Sequence, residues 1–317
     1  MPDLSETSGK DEGHANNGAA MQERKRGNRL GFAFFKVSLA LFGLRGAYGL
    51  LYFVCLYYVL FDRDACNAAM SYVKRRFRDY GPVKRAFCAY KIFINQGKVL
   101  IDRHYLLSGG RRFDCEVCGY DRLKALLAGS DKGVILLTAH VGNWQVAMTS
   151  IESLGKVVYL LMRPEDNMAV REALNIDSDG GMVRIIPSDS FLGGVVDMVN
   201  ALNKGHLVSI MGDRTYGRNS LETSFLGGKA RFPYAAFSLS AATGCPVAVL
   251  LSAKTDTMRY FVDMSHIIEP PSKKGPGGKM DGIGERVREF SAILENFVER
   301  YPLQWFVFDD IWVNSQH

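Results

Sequence analysis

Gly133-Val134-Ile135-Leu136-Leu137-Thr138-Ala139-His140-Val141-Gly142-Asn143-Trp144-Gln145 is the stretch that decides the fold. Its opening residues are apolar, partly β-branched and preceded by Asp131-Lys132, which predicts a short buried strand ending at His140. Gly142-Asn143 then predicts a turn, with Asn143 capping a helix that runs through Val146, Ala147, Met148 and Ile151. Open α/β sheets bind their ligands where a strand gives way to a helix. A histidine at that place can take a proton from a hydroxyl at neutral pH, because imidazole titrates near the working pH.

Downstream the alternation continues. Strand-like runs at Val157–Met162, Val183–Pro187, Leu207–Met211 and Pro246–Ser252 are separated by helical patterns at 143–154, 166–175, 191–204 and 233–243. That rhythm predicts an α/β fold, a largely parallel mixed sheet flanked by helices. Pro270 to Gly278 reads as an exposed loop, and Gly278-Lys279 does not complete a phosphate-binding motif. A last amphipathic helix, from about Gly282 to Arg300, presents Val287, Phe290, Ile293, Leu294 and Phe297 on one face.

Upstream, residues 1–29 are polar and glycine-rich, and predict a disordered tail ending in Arg24-Lys25-Arg26 and Arg29. From Leu30 to Phe61 the chain is apolar and aromatic, interrupted by Lys36 and Arg45, and residues 30–62 predict a hydrophobic membrane-anchor helix. No small-residue cleavage site follows Phe61, which argues against a secretory signal. The stretch from Gly46 to Phe61 is shorter than the ~20 residues that a perpendicular span needs. A one-leaflet helix and a single span with Arg45 snorkelling both stay open, and basic flanks on both sides favour a helix on the cytoplasmic face. Residues 63–130 look helical, and residues 63–312 form the remaining domain, with no internal repeat or second boundary.

The 317 residues carry Lys+Arg 39 against Asp+Glu 33, a net charge of +6. That excess suits an anionic membrane surface or an acidic carrier protein; no nucleic-acid module or aromatic-interleaved basic stripe is present. Cys115 and Cys118 have the spacing of half a zinc knuckle, but no second pair or paired histidine follows, so neither a metal nor another cofactor is expected. Lys74, Arg75, Arg76, Arg78, Lys84 and Arg85 form a basic cluster that fits a carrier protein or anionic headgroups.

His140-Val141-Gly142-Asn143-Trp144 resembles the HxGNW form of the late acyltransferases of bacterial lipid A biosynthesis, within the wider glycerolipid acyltransferase superfamily. The superfamily motif is H-x4-[DE]; here Gln145 stands in the acidic position. Leu161-Met162-Arg163-Pro164, Met211-Gly212-Asp213-Arg214, the Phe225-to-Pro233 segment that opens the next helix, and Pro302-Leu303-Gln304-Trp305 resemble further family segments in consistent order. The resemblance, over roughly residues 30–312, implies acyl transfer at the cytoplasmic face of the bacterial inner membrane. The donor would be a thioester on acyl carrier protein or coenzyme A, and the acceptor a hydroxyl or amine of a lipid or glycolipid. It implies His140 as general base, Arg163 and Arg214 as holders of an acceptor anion or of the oxyanion, and a helper role for the Asn143 amide or backbone N–H.

Gln145 can orient the ring but supplies no charge. Asp213, also at a strand end on the same sheet edge, is therefore the expected acid partner of His140. The competing reading is a family member that binds acyl chains or lipids without turnover. A serine hydrolase has less support, since no G-x-S-x-G elbow occurs.

Overall fold

The computed structural model describes residues 29–162, 182–188, 194–215, 219–271 and 278–313. Three helices come first: α1 (Arg29–Phe61), α2 (Arg63–Arg76) and α3 (Pro82–Leu107). Gly43, at φ 64° and ψ −168°, breaks α1 into two segments. By length and composition alone, Val37–Phe61 is long and apolar enough to cross a membrane. Its second segment packs on α3 through Leu44, Ala47, Tyr48, Leu51 and Cys55, against Ile94 and Ile101.

The mixed sheet contains eight strands, β1 (Asp114–Cys118), β2 (Val134–Thr138), β3 (Val158–Met162), β4 (Val183–Pro187), β5 (Leu207–Met211), β8 (Val247–Asp256), β9 (Arg259–Asp263) and β10 (Ile267–Ile268). Seven of them follow the order β1-β9-β8-β2-β5-β3-β4, and β10 pairs β8. All pairs are parallel except β8 with β9 and β8 with β10. The central strand β2 is buried on both faces, as the apolar run requires. Ile135 and Leu137 point to one layer and Val134 and Leu136 to the other, the two-residue alternation of a strand.

Helices α4 (Tyr120–Ala128) and α5 (Trp144–Thr149) cover one face through Leu123, Leu127, Ala147 and Met148. Helices α6 (Val195–Asn203), α7 (Ala235–Thr243) and α8 (Gly278–Arg300) cover the other through Leu202, Phe237, Phe290 and Leu294. The parallel-rich α/β architecture is thus as read from the alternation of elements, whereas the helical pattern at 166–175 lies outside the described residues.

One expectation needs correction, and two segments gain detail. The stretch 63–130 is not all helix: β1 enters the sheet edge beside β9. Cys115 and Cys118 lie on that strand at an odd spacing, so their side chains leave opposite faces and cannot converge on one ion. The segment from Phe225 to Pro233 leads into its helix at Ala235–Thr243 through a hairpin of β6 (Ser220–Phe225) and β7 (Gly228–Pro233), a pair of strands not expected there. Its two turn residues, Leu226 and Gly227, both have positive φ, the requirement of a tight hairpin turn.

Candidate active site

Strand register builds the site. Thr138 of β2 is the partner of Met211 of β5, so His140 and Asp213, each two residues beyond, leave the sheet side by side. The backbone stays stitched past the strands, with Gly212 N–H donating to the Thr138 carbonyl at 2.8 Å. His140 Nδ1 then lies 2.8 Å from Asp213 Oδ1, and the His140 backbone N–H donates to Asp213 Oδ2 at 2.8 Å. A third donor, Trp305 Nε1, reaches Oδ2 at 2.9 Å.

The imidazole is 27% exposed while the carboxylate is fully buried. Burial alone pushes the Asp213 carboxyl up, but the His140 ring, the Trp305 indole and the His140 backbone N–H outweigh it and hold the group below the ordinary carboxylate range. An ionised Asp213 accepts Nδ1–H and so fixes the tautomer, which presents Nε2 as the basic nitrogen.

The turn after His140 is shaped by close approach. Gly142 has φ +56°, and a Cβ there would sit 2.1 Å from the Ser252 carbonyl oxygen, so only glycine fits. Its N–H donates to the Gln304 carbonyl at 2.9 Å. Asn143 is buried and caps α5 by accepting from Val146 N–H, while its own N–H donates to Ser252 Oγ at 2.9 Å. The Asn143 backbone N–H and side-chain oxygen are therefore committed to holding the turn. The Asn143 Nδ2 sits near the Tyr260 phenol without a formed hydrogen bond.

Gln145 does not meet the ring. It is buried in the first turn of α5 and lines a cavity of about 310 Å³ together with Leu106, Met148, Ile151 and the cations Arg103 and Lys156. Arg214 follows Asp213 and pairs through Nε with Asp309 Oδ2 at 2.5 Å. Arg163 lies outside the described residues. Among the described residues no group of three or more His, Cys, Asp or Glu side chains is placed to hold a metal.

Two participants went unassigned in the sequence, Trp305 and Asp309. Both sit on a carboxy-terminal strap that runs over the strand ends: Val141 forms a bridge with Trp305, and Phe306 N–H donates to the His140 carbonyl at 2.7 Å. The Gln304-Trp305 pair was visible as a motif. Its contact with Asp213, 92 residues away in sequence, carries no local periodicity and could not be read from the chain.

Residues 110–313, more than half of the chain, match the family model described as bacterial lipid A biosynthesis acyltransferase. The matched range contains β2, β5, the turn after His140 and the whole strap. No curated protein matches the chain.

Proposed function

Because the chain belongs to the bacterial lipid A biosynthesis acyltransferase family, we propose that it moves a fatty acyl group from a thioester to a hydroxyl or amine of a lipid or glycolipid. The donor would be acyl carrier protein or coenzyme A, at the cytoplasmic face of the inner membrane. The observation that carries the mechanism is the 2.8 Å contact between a part-exposed imidazole and a fully buried carboxylate.

In this reading His140 Nε2 takes the proton of the acceptor hydroxyl as its oxygen attacks the thioester carbonyl. Asp213 stays ionised and stabilises the imidazolium that forms, without taking the proton itself. When the tetrahedral intermediate collapses, the C–S bond breaks and the imidazolium returns the proton to the departing thiolate. Trp305 and the His140 backbone N–H fix the second carboxylate oxygen, so the carboxylate cannot turn away from the ring.

Asn143 is proposed to position the turn. Arg214 would tie the strap through Asp309, and Arg163 would hold an acceptor phosphate or carboxylate, or the oxyanion. The cavity beside Gln145, with an apolar floor and cations in its wall, fits a hydrocarbon chain carrying an anionic group. An acid supplied by Asp213, just past β5, favours turnover over a binder without turnover, a reading that rested on the missing carboxylate at position 145.

The test is thioester consumption by the purified full chain with a lipid acceptor, followed by mass spectrometry of the acylated product. His140→Ala should abolish product formation while leaving the thermal unfolding midpoint within a few degrees. Lipid binding without turnover by both proteins would instead assign a binding role.

A further inference from the structure

The amino-terminal end of α3 is more exposed than a soluble protein needs. Val83 is 82% exposed, Phe87 54% and Tyr80 41%. These three lie within eight residues, and lysines stand over two of the rings: Lys84 Nζ is 5.6 Å from the Tyr80 ring centre and Lys91 Nζ 4.6 Å from that of Phe87. The patch is also continuous with α1. Helices α1 and α3 run antiparallel: Tyr90 donates to the Tyr52 carbonyl, and further along Lys98 lies over the Tyr48 ring. The start of α3 therefore lies beside the end of α1, where Phe53 is 76% exposed, Tyr57 60% and Leu60 64%.

The docking restricts how α1 can meet a bilayer. Its second segment gives one face to α3, where Ala47, Tyr48, Leu51 and Cys55 are buried. Helix α3 carries Lys84, Arg85, Lys91, Lys98 and Arg103 along its length, a charge load that does not enter hydrocarbon. A segment fixed along such a helix cannot stand across the membrane, so it lies along the surface with its apolar side down. Arg78 of the α2–α3 turn and Arg85 of α3 tie that surface down: Arg78 donates to the Leu226 carbonyl at 2.8 Å, and Arg85 to the Arg78 carbonyl.

We infer that α1 after Gly43 and the first turns of α3 form one in-plane contact surface for an anionic bilayer. Tyr80, Val83 and Phe87 enter the headgroup–acyl boundary beside Phe53, Tyr57 and Leu60. Lys84 and Lys91 meet lipid phosphates. The inference rests on the membrane association of the proposed function and deepens it, because it assigns a second element and an orientation to that association.

The full chain is added to phosphatidylglycerol vesicles whose acyl chains carry bromine, with Val83→Trp and Phe87→Trp as depth probes. The introduced indoles should be quenched by the brominated chains, above the signal of the wild-type tryptophans. Val83→Glu with Phe87→Glu should lower vesicle partition on the order of tenfold or more. Replacing phosphatidylglycerol by phosphatidylcholine should weaken the wild type more than the Lys84→Gln/Lys91→Gln variant. Unquenched indoles on a chain that still floats with vesicles would mean that α1 holds the membrane alone, and the inference fails. Unchanged partition of the double Glu variant, with a raised KM for a carrier-borne thioester, would make this a docking site for an acidic carrier protein and equally overturn it. Acyl transfer in detergent micelles is read separately: its absence would sink the proposed function while leaving the quenching result standing.

Discussion

Asp213 and Asp102 are both fully buried, and each accepts three hydrogen bonds, yet their carboxyls are shifted in opposite directions. Asp213 receives the His140 ring, the His140 backbone and Trp305, and its carboxyl lies below the ordinary range. Asp102 on α3 receives Tyr48 of α1, Tyr260 of β9 and Lys254 Nζ of β8, the last at 2.6 Å. There burial dominates and pushes the carboxyl up, while burial also pulls the Lys254 ammonium down. The difference lies in the cation. The His140 ring reaches solvent, where a reactant can meet it, whereas the Lys254 side chain is only 10% exposed. A carboxylate whose partner meets solvent can serve chemistry; one sealed in with its partner serves attachment, here of the first helix to the sheet.

The sharpest way to break this contrast is a pair of isosteric changes. Asp213→Asn should lower kcat/KM by about 10³ to 10⁴-fold in the thioester assay, because the imidazolium loses its counter-charge. Asp102→Asn should change kcat/KM by less than about tenfold, since Asp102 makes no hydrogen bond to the imidazole or to Asp213; equal losses in both would erase the distinction. Next in size, Lys254→Met should cost about 3–5 kcal/mol in urea unfolding, because it leaves a buried carboxylate without its counter-ion. Combining it with Asp102→Asn should recover most of that loss.

Acid unfolding separates the two groups by sign. Asp213 has a folded-state value below its unfolded one, so its contribution is fully present above about pH 4 and disappears as pH falls through the lowered value. The stability gap between wild type and Asp213→Asn should therefore shrink below pH 4. For Asp102 the folded value is raised, so its ionisation costs stability at neutral pH, and the gap to Asp102→Asn should move in the opposite direction on acidification. Trp305→Phe, which removes one donor from Asp213, should cost about 1–3 kcal/mol and shift the acid limb upward. Smallest of all, Gln145→Glu should alter turnover by less than about tenfold, because position 145 faces the cavity and not the imidazole. A large gain there, with Asp213→Asn silent, would return the acid role to the family position.

Much of the fold was legible because it is written locally. The apolar run of β2, the glycine turn, the cap at Asn143 and the alternation of strands with helices each show within a dozen residues. The hairpin at 220–233 was less visible: its strands mix polar and apolar residues, and Leu226 is not a residue that advertises positive φ. Strand β1 was overlooked because its alternation, half-buried against exposed, spans only five residues. Within the site, the nearness of His140 and Asp213 followed from two strand ends on one sheet edge, but the distance between them depends on register, which the sequence does not state. The indole on Asp213 and the Arg214–Asp309 pair come from a segment with no secondary structure of its own.

That segment is also the last of the described chain to leave the ribosome. Every strand and helix beneath it can collapse while it is still being made, since domains build from the amino terminus during synthesis. Until Gln304, Trp305 and Phe306 arrive, the carboxylate lacks one of its donors and the turn at Gly142 lacks its acceptor. The carboxylate–imidazole pair would therefore be complete only once residues 304–306 have been made, well after the two strands that carry it.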